Sequence, residues 1–260
     1  MEADFCIRQD LIAAACSNAI TASKNLEMHD EALEFSQNAL DIWDNLVNEH
    51  GRSEIEPDLA AAYARHGNSL DNMNRTDEVL PYLEKSQGML EKLVYEKGRS
   101  DQLQNLALVY GNIASAWRKR DQFDRFLEVN LKGIQIQEEF LEKAPSNADI
   151  CDLYIAMMFH RGEVLIDLAK PTEALGLFSK AVIVLEQSVF DYDHKTLIPF
   201  LCIAKAQKII LSHQLGTLEE DTDGISNLMA QMKEILKSNP DNKMIELLAR
   251  LEAITQDTLK

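Results

Sequence analysis

A phrase that returns after 47 residues constrains this chain more than any other feature in it. Gly51-Arg52-Ser53 recurs as Gly98-Arg99-Ser100, and Leu59-Ala60-Ala61-Ala62-Tyr63 recurs as Leu106-Ala107-Leu108-Val109-Tyr110, both at that step. Carried forward, the step lands on Leu153, Phe200 and Leu247; carried back, it lands on Ile12. All of these are apolar. A fixed period of this length marks a repeat architecture, in which each repeat buries its apolar face only by stacking on its neighbours.

Within a repeat the finer period is helical. Leu59, Tyr63, Leu70 and Met73 form one stripe and Val79, Leu83, Met89, Leu90 and Leu93 a second, following the i, i+3, i+4, i+7 rule. Asn74-Arg75-Thr76-Asp77 separates them, with Thr76 expected as the N-cap of the second helix. Gly98 is the expected stop. Pro57, Pro145, Pro199 and Pro240 are expected in loops between repeats, where a missing N–H costs nothing. Pro171 reads as a helix start. Pro81, one turn into a helix, is expected to delay its start or kink it.

The pattern predicts five antiparallel helix pairs, in repeats at about 12–58, 59–105, 106–152, 153–199 and 200–246. A final helix near 241–258 is expected to cover the last pair, since the end of such an array needs a cap. The fold class is all-α: an α-solenoid of about 11 helices forming a single domain over 1–260. The period slips by one residue in the fourth repeat and blurs after 215.

Composition narrows the function classes. A hydrophobic content of 46% and a charged content of 27% suit a globular chain that buries a core. The formal charge is −17, and residues 1–58 alone carry 13 acids against 3 bases. Such a chain is repelled by phosphate backbones and anionic lipid, so neither nucleic acid nor membrane is expected as a partner. No apolar run reaches the roughly 20 residues that span a bilayer. The opening Met1-Glu2-Ala3-Asp4-Phe5-Cys6 is acidic where a secretory leader is basic, so a cytoplasmic location is expected. Cys6, Cys16, Cys151 and Cys202 stand apart in apolar surroundings and read as buried thiols in a reducing compartment. Met157, Met158, Met229, Met232 and Met244 read as core filler.

The second repeat places Tyr63, Gly67, Leu70, Val79, Leu83 and Ser86 at successive helical positions. The third offers Tyr110, Ala114, Trp117, Phe126 and Gly133, and the fourth Met158, Gly162, Leu165, Ala174, Phe178 and Ala181. The first offers Cys16, Ala32 and Ala39. This order of aromatic, small and bulky residues resembles the tetratricopeptide repeat, over essentially the whole chain. That family's repeat is shorter; the longer one here resembles bacterial proteins of the same type. The resemblance implies a right-handed superhelix whose first helices line a concave groove for a peptide or partner helix. The groove positions carried over include Asn68, Asp71, Asn112, Ser115, Arg118, Phe159, His160 and Glu163. One family activity is excluded: Asn68 and Asn112 occupy the asparagine positions of a chaperone carboxylate clamp, but its basic positions carry Ser17 or Ala64, Ala156 and His160. A carboxylate needs charge-assisted donors.

No catalytic or cofactor motif is present. His160 and Glu163 have the i, i+3 spacing of metal-binding bundles, but the second carboxylate–histidine pair such sites use is missing, so neither metal nor other cofactor is expected. His66 and His160 lie two periods apart and read as one repeated structural position. Arg118-Lys119-Arg120 reads as cations complementing a helix C-terminus. The function expected is a non-enzymatic interaction scaffold with a protein or peptide partner. The alternative is a regulator whose superhelix closes on a small molecule or signalling peptide.

Overall fold

The computed structural model describes residues 2–218 and 222–258, and their side chains except at 2–8, 22, 24, 25, 257 and 258. The Cys6 side chain and the acid run at 219–221 lie outside the described residues. Eleven α-helices and no strand occur among the described residues. They are α1 (Glu2–Asn25), α2 (His29–Asn48), α3 (Glu56–Asn72), α4 (Thr76–Glu91), α5 (Leu103–Arg118), α6 (Phe123–Lys143), α7 (Ala148–Asp167), α8 (Pro171–Glu186), α9 (Ile198–Gln214), α10 (Thr222–Ser238) and α11 (Asn242–Thr258). The chain divides into two compact bodies, Met1–Ile136 and Gln137–Lys260. In the first, each of α1 to α5 packs on the helix that follows or precedes it; in the second, α7 packs on α8, α8 on α9, and α11 on both α9 and α10.

Two kinds of turn set this order, and each has a chemical cause. In the turns that close helix pairs, Glu27, Asn74, Asp121, Ala169 and Gly216 take left-handed backbone angles, with φ of 54° to 68°. The amide of the next residue then donates five residues back, as in Arg75 to the Leu70 carbonyl and Lys170 to the Leu165 carbonyl. This bond satisfies carbonyls that the helix end leaves without partners. The five positions are spaced 47, 47, 48 and 47 residues apart, so the single slip falls between Asp121 and Ala169.

Turns of the second kind lead from one pair to the next. Gly51, Gly98 and Asp193 take positive φ there, and the amides of Arg52, Arg99 and His194 donate six residues back to Leu46, Leu93 and Ser188. In two cases the preceding helix widens into a π turn, Lys92–Glu96 and Gln187–Asp191. A short 3-10 turn follows each of the three: Ser53–Ile55, Ser100–Gln102 and Lys195–Leu197. The recurring Gly-Arg-Ser phrase is therefore a helix stop and restart, with glycine supplying the left-handed step at no steric cost.

Three local expectations are corrected. Thr76 is the first residue of α4 rather than its cap; Arg75 holds the cap position without a side-chain cap bond. The turn through Met73 and Asn74 leaves only Arg75 before α4 begins, and the Arg75 guanidinium instead grips Glu78 at 2.7 and 2.6 Å. Pro57 and Pro199 lie in the first turns of α3 and α9, not in loops. The first helical amides have no intrahelical partner, so proline loses nothing there. Pro81 lies inside α4, which begins at Thr76 and is not delayed. Pro171 opens α8 as expected.

Cores follow the apolar stripes. Leu40, Trp43, Leu46, Leu59 and Tyr63 cluster in the first body, and Ile209, Met232, Met244, Leu247 and Leu251 in the second. Met157, Met158, Met232 and Met244 are buried, as are Cys151 and Cys202. Cys16 is only half-buried. Gly67 and Gly162 let paired helices approach: a Cβ there would stand 3.0 Å from Leu83 Cδ2 and 2.5 Å from the Phe178 ring, respectively.

A polar clip recurs between successive pairs within each body. The Tyr63 hydroxyl donates to Asp44 at 2.8 Å, Tyr110 to Glu91 at 2.7 Å, and Tyr154 to Glu138 at 3.2 Å. Lys205 takes the same role toward Glu186 at 2.7 Å. Lys85 and Lys132 lie over the Tyr63 and Tyr110 rings at 5.1 and 6.0 Å. Burial and the Asp44 carboxylate push the Tyr63 phenol up to about 12. Tyr110 and Tyr154 are raised for the same reasons, burial first and then Glu91 or Glu138.

Candidate functional site

In the first body, α3 and α5 flank a cleft of about 300 Å³. Ala61, Ala64, Arg65 and Asn68 line it from α3, and Asn105, Leu108, Val109 and Asn112 from α5; the buried Ser86 and Leu90 of α4 also line it. The opening exists because Ala61 and Ala64 are too small to fill the space between the two helices. Ser86 spends its hydroxyl on the Ala60 carbonyl, at 2.7 Å. Asn105 donates to Gln102 at 2.9 Å, and Arg65 reaches Ser17 at 3.2 Å. Asn68 and Asn112 are half-exposed and make no side-chain hydrogen bond among the described residues. Each carboxamide therefore presents a donor and an acceptor over a largely apolar floor.

The other groove candidates are placed differently. Asp71 is held by Lys119 at 2.8 Å, Ser115 is half-buried, and Arg118 is the last residue of α5. The basic cluster next to it serves the fold. Arg120 donates to the Thr76 carbonyl at 2.8 Å and pairs with Asp77 at 3.3 Å; Arg120 and Arg125 stack on Trp117 at 5.8 and 4.4 Å. Phe159, His160 and Glu163 belong to α7 of the second body. Phe159 packs edge-on to Phe178 and Phe200, at 5.6 and 6.0 Å. His160 is exposed and Glu163 half-buried.

The pairing of His66 with His160 as one repeated position is corrected. His66 is buried, its Nδ1 2.9 Å from Ser36 Oγ, which in turn donates to the Leu33 carbonyl. That arrangement makes the ring the donor to Ser36, and burial lowers its pKa. Because the one-residue slip precedes the fourth repeat, the residue there equivalent to His66 is Arg161, beside Gly162 as His66 is beside Gly67. Burial raises the Cys151 and Cys202 thiols, so neither is an activated nucleophile. Among the described residues no three His, Cys, Asp or Glu side chains gather as a metal site requires.

Arg65 and Asn105 escaped the sequence reading, which followed the family's groove positions. The signal was present: both continue the stripes of Asn68 and Asn112 toward the helix N-termini at helical spacing. A larger cleft of about 490 Å³ lies among α8, α9 and α10 of the second body, but its Lys205 is already tied to Glu186.

No protein-family model matches the sequence, and no curated protein matches it. Solved structures do. A putative kinesin light chain from Podosopora anserina, with nearly identical TPR-like repeats, is similar over 94% of this chain and 95% of its own, at 14% identity and a TM-score of 0.59. BtubC (BKLC) from P. vanneervenii is similar over 90% of this chain and 94% of its own, at 12% identity and a TM-score of 0.53. Identities this low speak to fold alone. Taken with the paired helices, the small residues where they meet and the regularly spaced turns, the likeness shows that this chain has the tetratricopeptide-type repeat fold.

Proposed function

We propose that the chain is a cytoplasmic, non-enzymatic interaction scaffold, a single repeat domain over 1–260 that takes a peptide or partner helix in its groove. The observation that carries this is the α3/α5 cleft: two carboxamides without side-chain hydrogen bonds among the described residues, Asn68 and Asn112, over the apolar Leu90 and Val109. A carboxamide matches a peptide group, donor to acceptor and acceptor to donor, without asking for charge. Nothing lining the cleft forms a nucleophile–base pair, and its serine hydroxyl is committed to a backbone carbonyl. Asp71, Ser115 and Arg118 extend the surface along the same two helices, with Phe159, His160 and Glu163 as groove positions of the second body. No described helix is long and apolar enough to cross a membrane, and the charge of −17 disfavours nucleic acid.

The test is capture from a native lysate with the wild-type chain, with Asn68→Ala/Asn112→Ala, and with Leu108→Arg, each checked for retained helicity. A partner bound by the wild type and weakened by about tenfold or more in the double variant supports the cleft, each lost hydrogen bond being worth about 0.5–1.5 kcal/mol. Identical partners and affinities across the three proteins would overturn it.

A further inference from the structure

One position recurs along α2, α4, α6, α8 and α10, and at the last of them it has no side chain. At the steps of 47, 47, 48 and 47 residues that the turns set, it is held by Phe35, Tyr82, Val129 and Leu177, each half-buried, and then by Gly224. Gly224, Asn227 and Gln231 line the cleft of about 490 Å³ among α8, α9 and α10. Their counterparts Tyr82, Lys85 and Met89 line the equivalent space among α2, α3 and α4, which is divided into two smaller clefts of about 290 and 350 Å³. There the Tyr82 ring stands edge-on to His66 at 4.5 Å and lies 6.5 Å from the Tyr63 ring. In the second body no ring takes that place, and Lys208 and Lys205 stand where His66 and Tyr63 do. The facing wall changes in the opposite sense. Ile183 lines the cleft from α8 and is 67% exposed, at a position where the earlier pairs carry Asp41, Gly88 and Gln135. Val182, Ile209 and Leu228, all buried, complete an apolar lining. One wall gives up a side chain and the other gains an apolar one, which shapes the cleft for an apolar group brought from outside.

We infer that this cleft takes an aromatic side chain of a partner protein, carried on a segment with a carboxylate beside it. Tyr82 shows the size of the group that fills the equivalent place in the first body. An aromatic ring seated in a pocket of this kind is the common anchor of a protein contact. The rim sets the charge of the flank. Lys205 and Lys208 line the cleft with a single carboxylate, Glu186, in a chain of net charge −17. Glu186 is spent on Lys205 at 2.7 Å, so the local surplus is positive. An acidic flank is attracted here, whereas the chain as a whole repels it.

The cleft shares no residue with the one between α3 and α5, and the test keeps the two apart. A library of short random peptides, joined to a carrier at both ends, is selected on the full chain. Enriched peptides are expected to carry Phe, Tyr or Trp with Asp or Glu close by. Gly224→Tyr fills the space from within, so it is expected to raise the urea midpoint and to weaken these peptides by about tenfold or more. Ile183→Asp restores the residue of the first pair at an exposed position, which keeps the fold, and is expected to weaken them to a similar degree. Replacing the acid of a peptide by its amide is expected to cost about threefold. Asn68→Ala/Asn112→Ala is expected to bind the same peptides unchanged. The inference is overturned by an absence of enriched peptides, by enriched peptides without an aromatic residue, or by amide forms that bind as well. Binding that either Gly224→Tyr or Ile183→Asp leaves undiminished, or that the double asparagine variant loses, also overturns it. So does a dimer of the purified chain that Gly224→Tyr dissociates, which assigns the cleft to a second copy.

Discussion

At Gly162 there is no room for a methyl group. A Cβ would stand 2.5 and 2.6 Å from two atoms of the Phe178 ring, a rigid neighbour on α8. Gly162→Ala is expected to destabilise the chain by about 1–3 kcal/mol in urea titrations. At Gly67 the neighbour is the flexible end of Leu83, at 3.0 Å, and alanine's better helix propensity offsets most of the crowding. Gly88 and Gly176 meet nothing within 4 Å, and alanine at either is expected to stabilise by about 0.5–1 kcal/mol. The ordering of these four variants in one titration series checks the packing residue by residue. Gln137 is a second residue-scale case. It is fully buried with both amide atoms lacking partners among the described residues, at the position that Leu90 and Leu185 hold in neighbouring repeats. Gln137→Leu is expected to raise stability by about 1–3 kcal/mol, because it removes a desolvated carboxamide and restores an apolar fit. The glycines were legible as small residues where helices cross, whereas Gln137 looked like any polar residue in a helix. Periodicity reports which face a position lies on; whether the fold spends a polar side chain there depends on packing that no single stripe reveals.

The turns are the elements that hold the repeat in phase. Five of them need one left-handed residue each, and only Gly216 meets that need with glycine. A side chain in that conformation costs about 1–2 kcal/mol. Ala169→Gly is therefore expected to stabilise by about 1 kcal/mol and Gly216→Ala to destabilise by a similar amount, both read from denaturation midpoints. Much of the element level was legible beforehand. The second helix pair, its stop at Gly98 and the slip before the fourth repeat follow from spacing alone. What spacing could not supply was how each helix begins. Thr76 carries cap chemistry but the tight turn leaves it inside α4, while Pro57 and Pro199 look like loop residues and instead open helices. The candidate site was legible to the same depth: Asn68 and Asn112 share a cleft, and the buried Leu90 and Ser86 that also line it come from a helix the groove rule does not consider.

Across the whole molecule the net charge of −17 makes stability depend on pH, and His66 adds a separable part. Its folded pKa is below the ordinary value of 6.5 because burial disfavours the charged ring. Above that ordinary value neither state is protonated there and the residue adds no slope. As pH falls through it, the unfolded chain takes up a proton that the folded chain refuses, so stability drops until the lowered folded value is passed. His66→Ile, copying the Ile113 of the next repeat, is expected to remove this part. Comparing urea midpoints of the two proteins at pH 7.5 and pH 5.5 isolates it from the carboxylates. The tyrosine clips have a consequence of another kind. Their phenols are held un-ionised by burial and a facing carboxylate, so in alkali Tyr63, Tyr110 and Tyr154 stay dark at the phenolate wavelength until their own junction opens. Three of the six tyrosines thus serve as built-in optical reporters. Single Tyr→Phe replacements would show, without any label, which junction along the chain gives way first.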